Sequence, residues 1–128
     1  MAEKTLHEFQ TEVDRWIQAV GNGYWSPHAI LARITEEVGE LARLINHLYG
    51  PKPKKTGEAA QDLGEEMADI IFAVICLANL EGIDLGQSLE GVIDKVWNRD
   101  RDRYRSQPEK GGKDGKSLHG PAGHQSGL

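Results

Sequence analysis

Acidic residues cluster in two short stretches of this chain, at Glu36, Glu37 and Glu40 and again at Glu65, Glu66 and Asp69. If both stretches are helical, the spacing of three residues places Glu37 with Glu40, and Glu66 with Asp69, on neighbouring turns. A single Glu-x-x-Glu is usually a solvated acidic face. At about 100° per residue, however, Glu37 falls inside the apolar arc of its own helix. Carboxylates rarely occupy a core unless they are paired with cations or bind a metal.

The two acidic stretches also lie at matching distances from the loop that joins them. Glu40 should then lie level with Glu66, and Glu37 level with Asp69, when the two helices pack antiparallel. Repulsion between four carboxylates at short range is severe unless a divalent cation neutralises it. Because only oxygen ligands are available, Mg²⁺ is favoured, with Mn²⁺ as a substitute. The predicted metal ligands are Glu37, Glu40, Glu66 and Asp69.

Two arginines, Arg99 and Arg103, continue the inward face of the last predicted helix beyond Val96, and Lys95 and Asn98 flank that face. Cations are favoured near a helix C-terminus, and ordinary capping would explain these residues if they stood alone. Opposite a carboxylate-bound metal, the same groups could hold polyphosphate oxygens. We therefore expect phosphate contacts from Lys95, Asn98, Arg99 and Arg103.

Aromatic side chains near the start of the chain are a weaker signal. Trp16 and Trp25 could stack on a nucleobase, since every base has a π-face. An aromatic residue at helical spacing is more often part of the core. Both alternatives stay open for these two candidate substrate-binding residues.

The elements that must position these residues are all helices. Capping patterns and a 3.6-residue apolar period predict helices over about 5–20, 26–50, 58–81 and 84–104. The run Ile70–Ala78 is apolar on every side, and four short helices can hardly cover one of their own. The predicted fold is therefore all-α, with a four-helix bundle-type core that oligomerisation completes. Residues 5–105 form the domain, and the polar tail 106–128 is predicted to be disordered.

Length and charge narrow the class of protein. A chain of 128 residues allows one domain, and a net charge of −5 argues against a nucleic-acid polymer as partner. One cysteine, Cys76, excludes a disulfide framework. The longest apolar run is about half of the ~20 residues needed to span a bilayer. Together with an N-terminus that has no signal-peptide pattern, these features predict a cytoplasmic protein with no membrane partner.

The motif Glu36-Glu37-x-x-Glu40 followed by Glu66-x-x-Asp69 resembles the signature of the all-α nucleotide pyrophosphohydrolases of the MazG-like superfamily. Three further segments resemble its small single-domain YpjD-like group, namely 31–42, 49–55 and 98–104. This resemblance implies Mg²⁺-dependent hydrolysis of a nucleoside triphosphate to the monophosphate and pyrophosphate, as nucleotide-pool housekeeping. It implies Glu36 and Glu37 as catalytic residues, with Glu36 acting through a second ion or orienting the attacking water. A homodimer or homotetramer is the implied assembly.

Two alternatives remain at this point. A phosphoribosyl-ATP pyrophosphatase would use the same scaffold, although the loop 49–55 and the ending 98–104 look like the YpjD-like group instead. A non-enzymatic helical interaction module could use the acidic residues only to bind a cation. Such a module would have no need of the cationic residues on the last helix.

Overall fold

The structure, a computed structural model, describes residues 2–51 and 62–105, except the side chains of 102, 104 and 105. These residues form four helices and no strand, namely α1 (Leu6–Ala19), α2 (Pro27–Tyr49), α3 (Leu63–Glu81) and α4 (Leu85–Arg105). The prediction of an all-α fold is thereby confirmed. The predicted tail, 106–128, lies outside the described residues. None of the described helices is long and apolar enough to cross a membrane.

The first two helices begin at the residues that their capping patterns predict. Thr5 and Glu8 form a reciprocal capping box, with the Thr5 hydroxyl accepting from the Glu8 N–H at 3.1 Å and the Glu8 carboxylate accepting from the Thr5 N–H at 2.7 Å. Ser26 accepts from the Ala29 N–H at 3.2 Å, directly before Pro27. These bonds satisfy backbone donors that a helix start leaves without a partner.

The prediction for the start of α3 was wrong by five residues. The helix begins at Leu63 instead of Glu58, because Asp62 has an extended backbone and its side chain accepts from the Gly64 N–H at 2.8 Å. The C-terminal end of α3, at Glu81, agrees with the predicted end. Gly82 has the left-handed conformation, with a φ of 71°, that glycine adopts without a Cβ clash.

The chain divides into two compact units, Met1–Glu90 and Gly91–Leu128. The first unit holds α1, α2, α3 and the start of α4, and in it α3 packs against both α1 and α2. Its buried centre is formed by one residue from each of these three helices, Ile17, Ile30 and Cys76. The described part of the second unit is the remainder of α4.

Large apolar side chains also remain at the surface of the single chain. Within the run Ile70–Ala78, the side chains of Ala73 and Ile75 are buried, whereas Ile71 and Phe72 are 53% and 44% exposed. On α2, the apolar side chains of Val38 and Ile45 are also exposed. The first unit therefore leaves apolar surface that its own helices do not cover.

Candidate metal centre

The packing of α3 against α2 brings together carboxylates from both acidic stretches of the sequence. Glu37 lies on α2, and Glu66 and Asp69 lie one turn apart on α3. Each of the three can place an oxygen within 4.8 Å of the other two. Three of the four predicted metal ligands thus lie in one cluster.

Burial and charge both act on the central carboxylate of this cluster. Glu66 is only 9% exposed. Burial raises the pKa of the Glu66 carboxyl, and the negative charges of Asp69, Glu40 and Glu37 raise it further. The ionised form of Glu66 is therefore disfavoured in the protein alone, and a cation would relieve that cost. An all-oxygen set of this kind suits Mg²⁺ or Mn²⁺.

Glu36 and Glu40 lie beside the cluster without belonging to it. Both line the same open groove of about 590 Å³ that Glu37, Glu66 and Asp69 line. Glu36 has a side chain that is 70% exposed. Neither residue shares the three-way contact, so their predicted roles as metal ligand (Glu40) and catalytic residue (Glu36) remain predictions.

Arg33 contacts this acidic region and was not identified from the sequence. Its Nε lies 3.0 Å from Glu37 Oε2, and its Nη1 lies 3.6 Å from Glu36 Oε1. The signal was available, since positions three and four residues apart are neighbours on a helix. The guanidinium neutralises part of the charge at Glu37.

An aromatic cavity of about 360 Å³ adjoins the groove. Both predicted stacking residues line it, Trp16 and Trp25, together with Tyr24 and Phe72. The rings of Trp16 and Phe72 meet edge to face, with centroids 6.3 Å apart. Trp16 and Trp25 are 49% and 58% exposed, so neither is a core residue. Three residues line both cavity and groove, namely Arg33, Glu37 and Asp69.

A chain of hydrogen bonds holds Tyr24 in the wall of this cavity. Its hydroxyl donates to Asp14 at 2.7 Å and accepts from Asn79 Nδ2 at 3.0 Å. Asn79 in turn accepts from Gln10 Nε2 at 3.0 Å, and Gln10 Oε1 accepts from the backbone N–H of Leu85 at 2.9 Å. Burial, with the bond to Asp14, raises the pKa of Tyr24 to about 12. The phenol therefore stays protonated and keeps both bonds at neutral pH.

The predicted phosphate-binding residues belong to the second unit. There Arg99 Nε lies 3.2 Å from Asp100 Oδ1, and Asn98 Oδ1 accepts from Arg101 Nη2 at 2.8 Å. Both contacts join residues of the same helix. A role in binding phosphate remains a prediction for all four, Lys95, Asn98, Arg99 and Arg103.

Comparison with known families bears directly on this set of residues. The MazG nucleotide pyrophosphohydrolase domain matches residues 25–104, a span that includes all the clustered carboxylates. The chain belongs to this family. The resemblance drawn from the motif and its flanking segments is confirmed, and with it the general class of hydrolase that acts on a pyrophosphate linkage.

Individual MazG relatives agree in sequence and in structure. YpjD from Bacillus subtilis (strain 168) is 46% identical over 109 residues, which cover 85% of this chain and 98% of YpjD. The crystal structure of Bacillus subtilis YpjD superposes with a TM-score of 0.66 at 47% identity, covering 75% of this chain and 96% of that one. A Bacillus-conserved MazG protein, described as a nucleotide pyrophosphohydrolase, superposes with a TM-score of 0.62 at 42% identity. The match covers 74% of this chain and 91% of that one. The iMazG protein from Vibrio DAT 722 superposes with a TM-score of 0.53 at 26% identity, covering 75% of this chain and 99% of that one.

Proposed function

We propose that this MazG-family hydrolase cleaves a nucleoside triphosphate between the α- and β-phosphates, in a Mg²⁺-dependent reaction that yields a nucleoside monophosphate and pyrophosphate. The observation that carries the proposal is the shared wall between the aromatic cavity and the carboxylate groove. A nucleotide has the same two parts, a flat apolar base and a polyanion. The two adjoining spaces match these parts in chemistry and in order.

The carboxylate cluster is the proposed holder of the metal. Glu37, Glu66 and Asp69 supply the oxygens that lie together, and Glu40 lines the same groove. Mg²⁺ held by these residues would neutralise phosphate charge and would lower the pKa of a bound water. Glu36 is exposed at the groove, and its proposed role is to accept the proton of an attacking water.

Stacking is the proposed mode of base binding. Trp16 and Trp25 offer exposed rings at the cavity, and base–aromatic stacking contributes about 1–3 kcal/mol per base. The Tyr24 hydroxyl is already engaged on both its donor and acceptor sides. Tyr24 therefore contributes its ring to this site instead of a new hydrogen bond.

A homodimer or homotetramer is the proposed assembly. The exposed side chains of Ile71 and Phe72 on α3, and of Val38 and Ile45 on α2, support it. Contiguous apolar patches on a folded protein commonly mark sites of association. A second copy of the chain would remove this surface from water.

A product analysis tests the activity. The purified chain is incubated with Mg²⁺ and a panel of ribo- and deoxynucleoside triphosphates plus phosphoribosyl-ATP, and the products are separated by ion-exchange chromatography. We expect monophosphate and pyrophosphate in equal amounts from a triphosphate, and no turnover with excess chelator. Glu37→Gln is the control for contaminating phosphatases, because it should lose the same activity.

Other product patterns would contradict the proposal in distinct ways. Stepwise release of orthophosphate through a diphosphate would place the cut elsewhere. A strong preference for phosphoribosyl-ATP would assign the chain to that related reaction. Absence of turnover on every substrate, with Mg²⁺ binding retained, would favour a non-enzymatic cation-binding module.

A further inference from the structure

Arg33 occupies the boundary between the aromatic cavity and the carboxylate groove. It lines both spaces, as do Glu37 and Asp69. Among the described residues that line either space, Arg33 is the only cation. If the base enters the cavity and the polyphosphate enters the groove, the sugar and the first phosphate must cross this boundary.

Two carboxylates hold the guanidinium of Arg33. Its Nε lies 3.0 Å from a Glu37 oxygen and its Nη1 lies 3.6 Å from a Glu36 oxygen. The side chain remains 51% exposed. A planar guanidinium can donate from two edges at once and matches the geometry of phosphate oxygens. The exposed part of the guanidinium is therefore available to a ligand at the boundary.

We propose that Arg33 binds the α-phosphate of the substrate and of the monophosphate product. The proposal rests on the proposed function, since it assumes a nucleotide in the cavity and groove. Glu36 and Glu37 hold the guanidinium in place for this contact. Arg33 also compensates one carboxylate charge that would otherwise repel the incoming phosphate.

A purely structural role for Arg33 makes a different prediction for metal binding. If Arg33 served only to position Glu37 as a ligand, its removal would weaken Mg²⁺ binding by the nucleotide-free protein. If Arg33 binds phosphate, its removal takes a competing cation away from Glu37. Mg²⁺ should then bind as tightly as before or more tightly.

Titration calorimetry in the presence of Mg²⁺ separates these possibilities. The probes are dAMP, dCMP, dGMP and TMP, each compared with its nucleoside, on wild type, Arg33→Gln and Arg33→Lys. Arg15→Gln is the matched control, since Arg15 is an exposed arginine on α1 that lines neither space. We expect Arg33→Gln to weaken monophosphate binding about tenfold to a hundredfold, the usual range for a charge-assisted hydrogen bond.

Nucleoside binding should be unchanged in all variants, because it lacks the phosphate. Arg33→Lys should keep part of the affinity, since lysine retains the charge without the planar fork. Mg²⁺ titration of nucleotide-free Arg33→Gln should give an affinity equal to or above that of wild type. The KM for the triphosphate should rise by a factor similar to the loss in monophosphate affinity.

The proposal is overturned if Arg33→Gln binds monophosphates like wild type, or if it binds Mg²⁺ more weakly. It is also overturned if wild type binds monophosphates no better than nucleosides. Failure of the proposed function is distinct, because wild type would then hydrolyse no triphosphate between its α- and β-phosphates. A wild type that hydrolyses substrate, beside an Arg33→Gln variant with unchanged KM, refutes the Arg33 assignment alone.

Discussion

Mg²⁺ should stabilise the folded chain, and Glu66→Gln should remove most of that effect. When all three are ionised, Glu37, Glu66 and Asp69 carry three negative charges within 4.8 Å, and Arg33 compensates one of them at Glu37. The two negative charges that remain equal in size the charge of one divalent cation. Glutamine keeps the shape of Glu66 while removing one charge and one ligand oxygen.

The expected shift follows from mass action. At a Mg²⁺ concentration of about 100 times Kd, wild type gains about 2.7 kcal/mol. In a domain of this size that corresponds to a Tm increase of roughly 10–20 °C. If losing the ligand weakens binding about a hundredfold, which is the upper end for loss of an outer-shell partner, the same concentration equals the variant's Kd. The variant then gains about 0.4 kcal/mol, or roughly 2–3 °C.

Thermal melting with chelator and with excess Mg²⁺ provides the comparison. With chelator, Glu66→Gln should melt at or above the wild-type temperature, because the fold disfavours the charged form of Glu66. Glu65→Gln is the matched control, since Glu65 is the preceding residue and lies outside both cluster and groove. It should keep the full Mg²⁺ shift.

Two results would refute this reasoning. If Mg²⁺ raised the Tm of wild type and of Glu66→Gln equally, the ion would bind elsewhere. A Glu66→Gln variant that is much less stable than wild type in chelator would mean that Glu66 forms a structural ion pair. Removing one partner of a buried pair costs roughly 3–5 kcal/mol.

Further predictions concern pH, packing and assembly. Because the folded protein raises the pKa of Glu66 above its ordinary value of 4.5, the chelated wild type should lose stability as pH rises through that raised pKa. Urea denaturation of Glu66→Gln should lack this component. Asn79→Leu should lower the free energy of unfolding by about 1–3 kcal/mol in the same assay, because it leaves the buried Gln10 amide without its side-chain partner. A variant with the same urea midpoint as wild type would contradict the hydrogen-bond network. Sedimentation at micromolar concentration should show at least a dimer, which Ile71→Glu should weaken, whereas a folded wild-type monomer would contradict the proposed assembly.

The local features of this fold were predictable from sequence because caps and helical periods involve neighbouring residues. Thr5 and Ser26 illustrate this, since each bonds to a backbone group three residues later. The start of α3 was missed because Asp62 was not recognised as a cap. That error did not disturb the expectation that Glu37 and Asp69 would meet. Packing of the helices, and not the length of their connection, sets which residues face each other.

The parts of the site that could not be predicted from the sequence are polar contacts, because such contacts leave no periodic pattern in the chain. Gln10 and Asn79 are 69 positions apart, and nothing in the chain between them indicates that they bond. Gln10 is polar and does not belong to the apolar pattern of α1, so its burial was not expected. Arg33 was visible four residues before Glu37, but helical surfaces carry many such pairs. Only the geometry of two adjoining spaces distinguishes Arg33 from an ordinary surface ion pair.

The position of Tyr24 has a consequence for how this enzyme could change its substrate over evolutionary time. Its ring forms cavity wall, while its hydroxyl belongs to a network that reaches the first backbone N–H of α4 through Asn79 and Gln10. Loss of the Tyr24 hydroxyl leaves two half-buried side chains, Asp14 and Asn79, without this partner, at a cost of about 1 kcal/mol. Replacement of Tyr24 therefore also acts on Asn79 and, through it, on the buried Gln10. Among the described residues Trp25 has no such hydrogen bond, so under the proposed mode of base binding a new base preference is more readily acquired by single substitutions there.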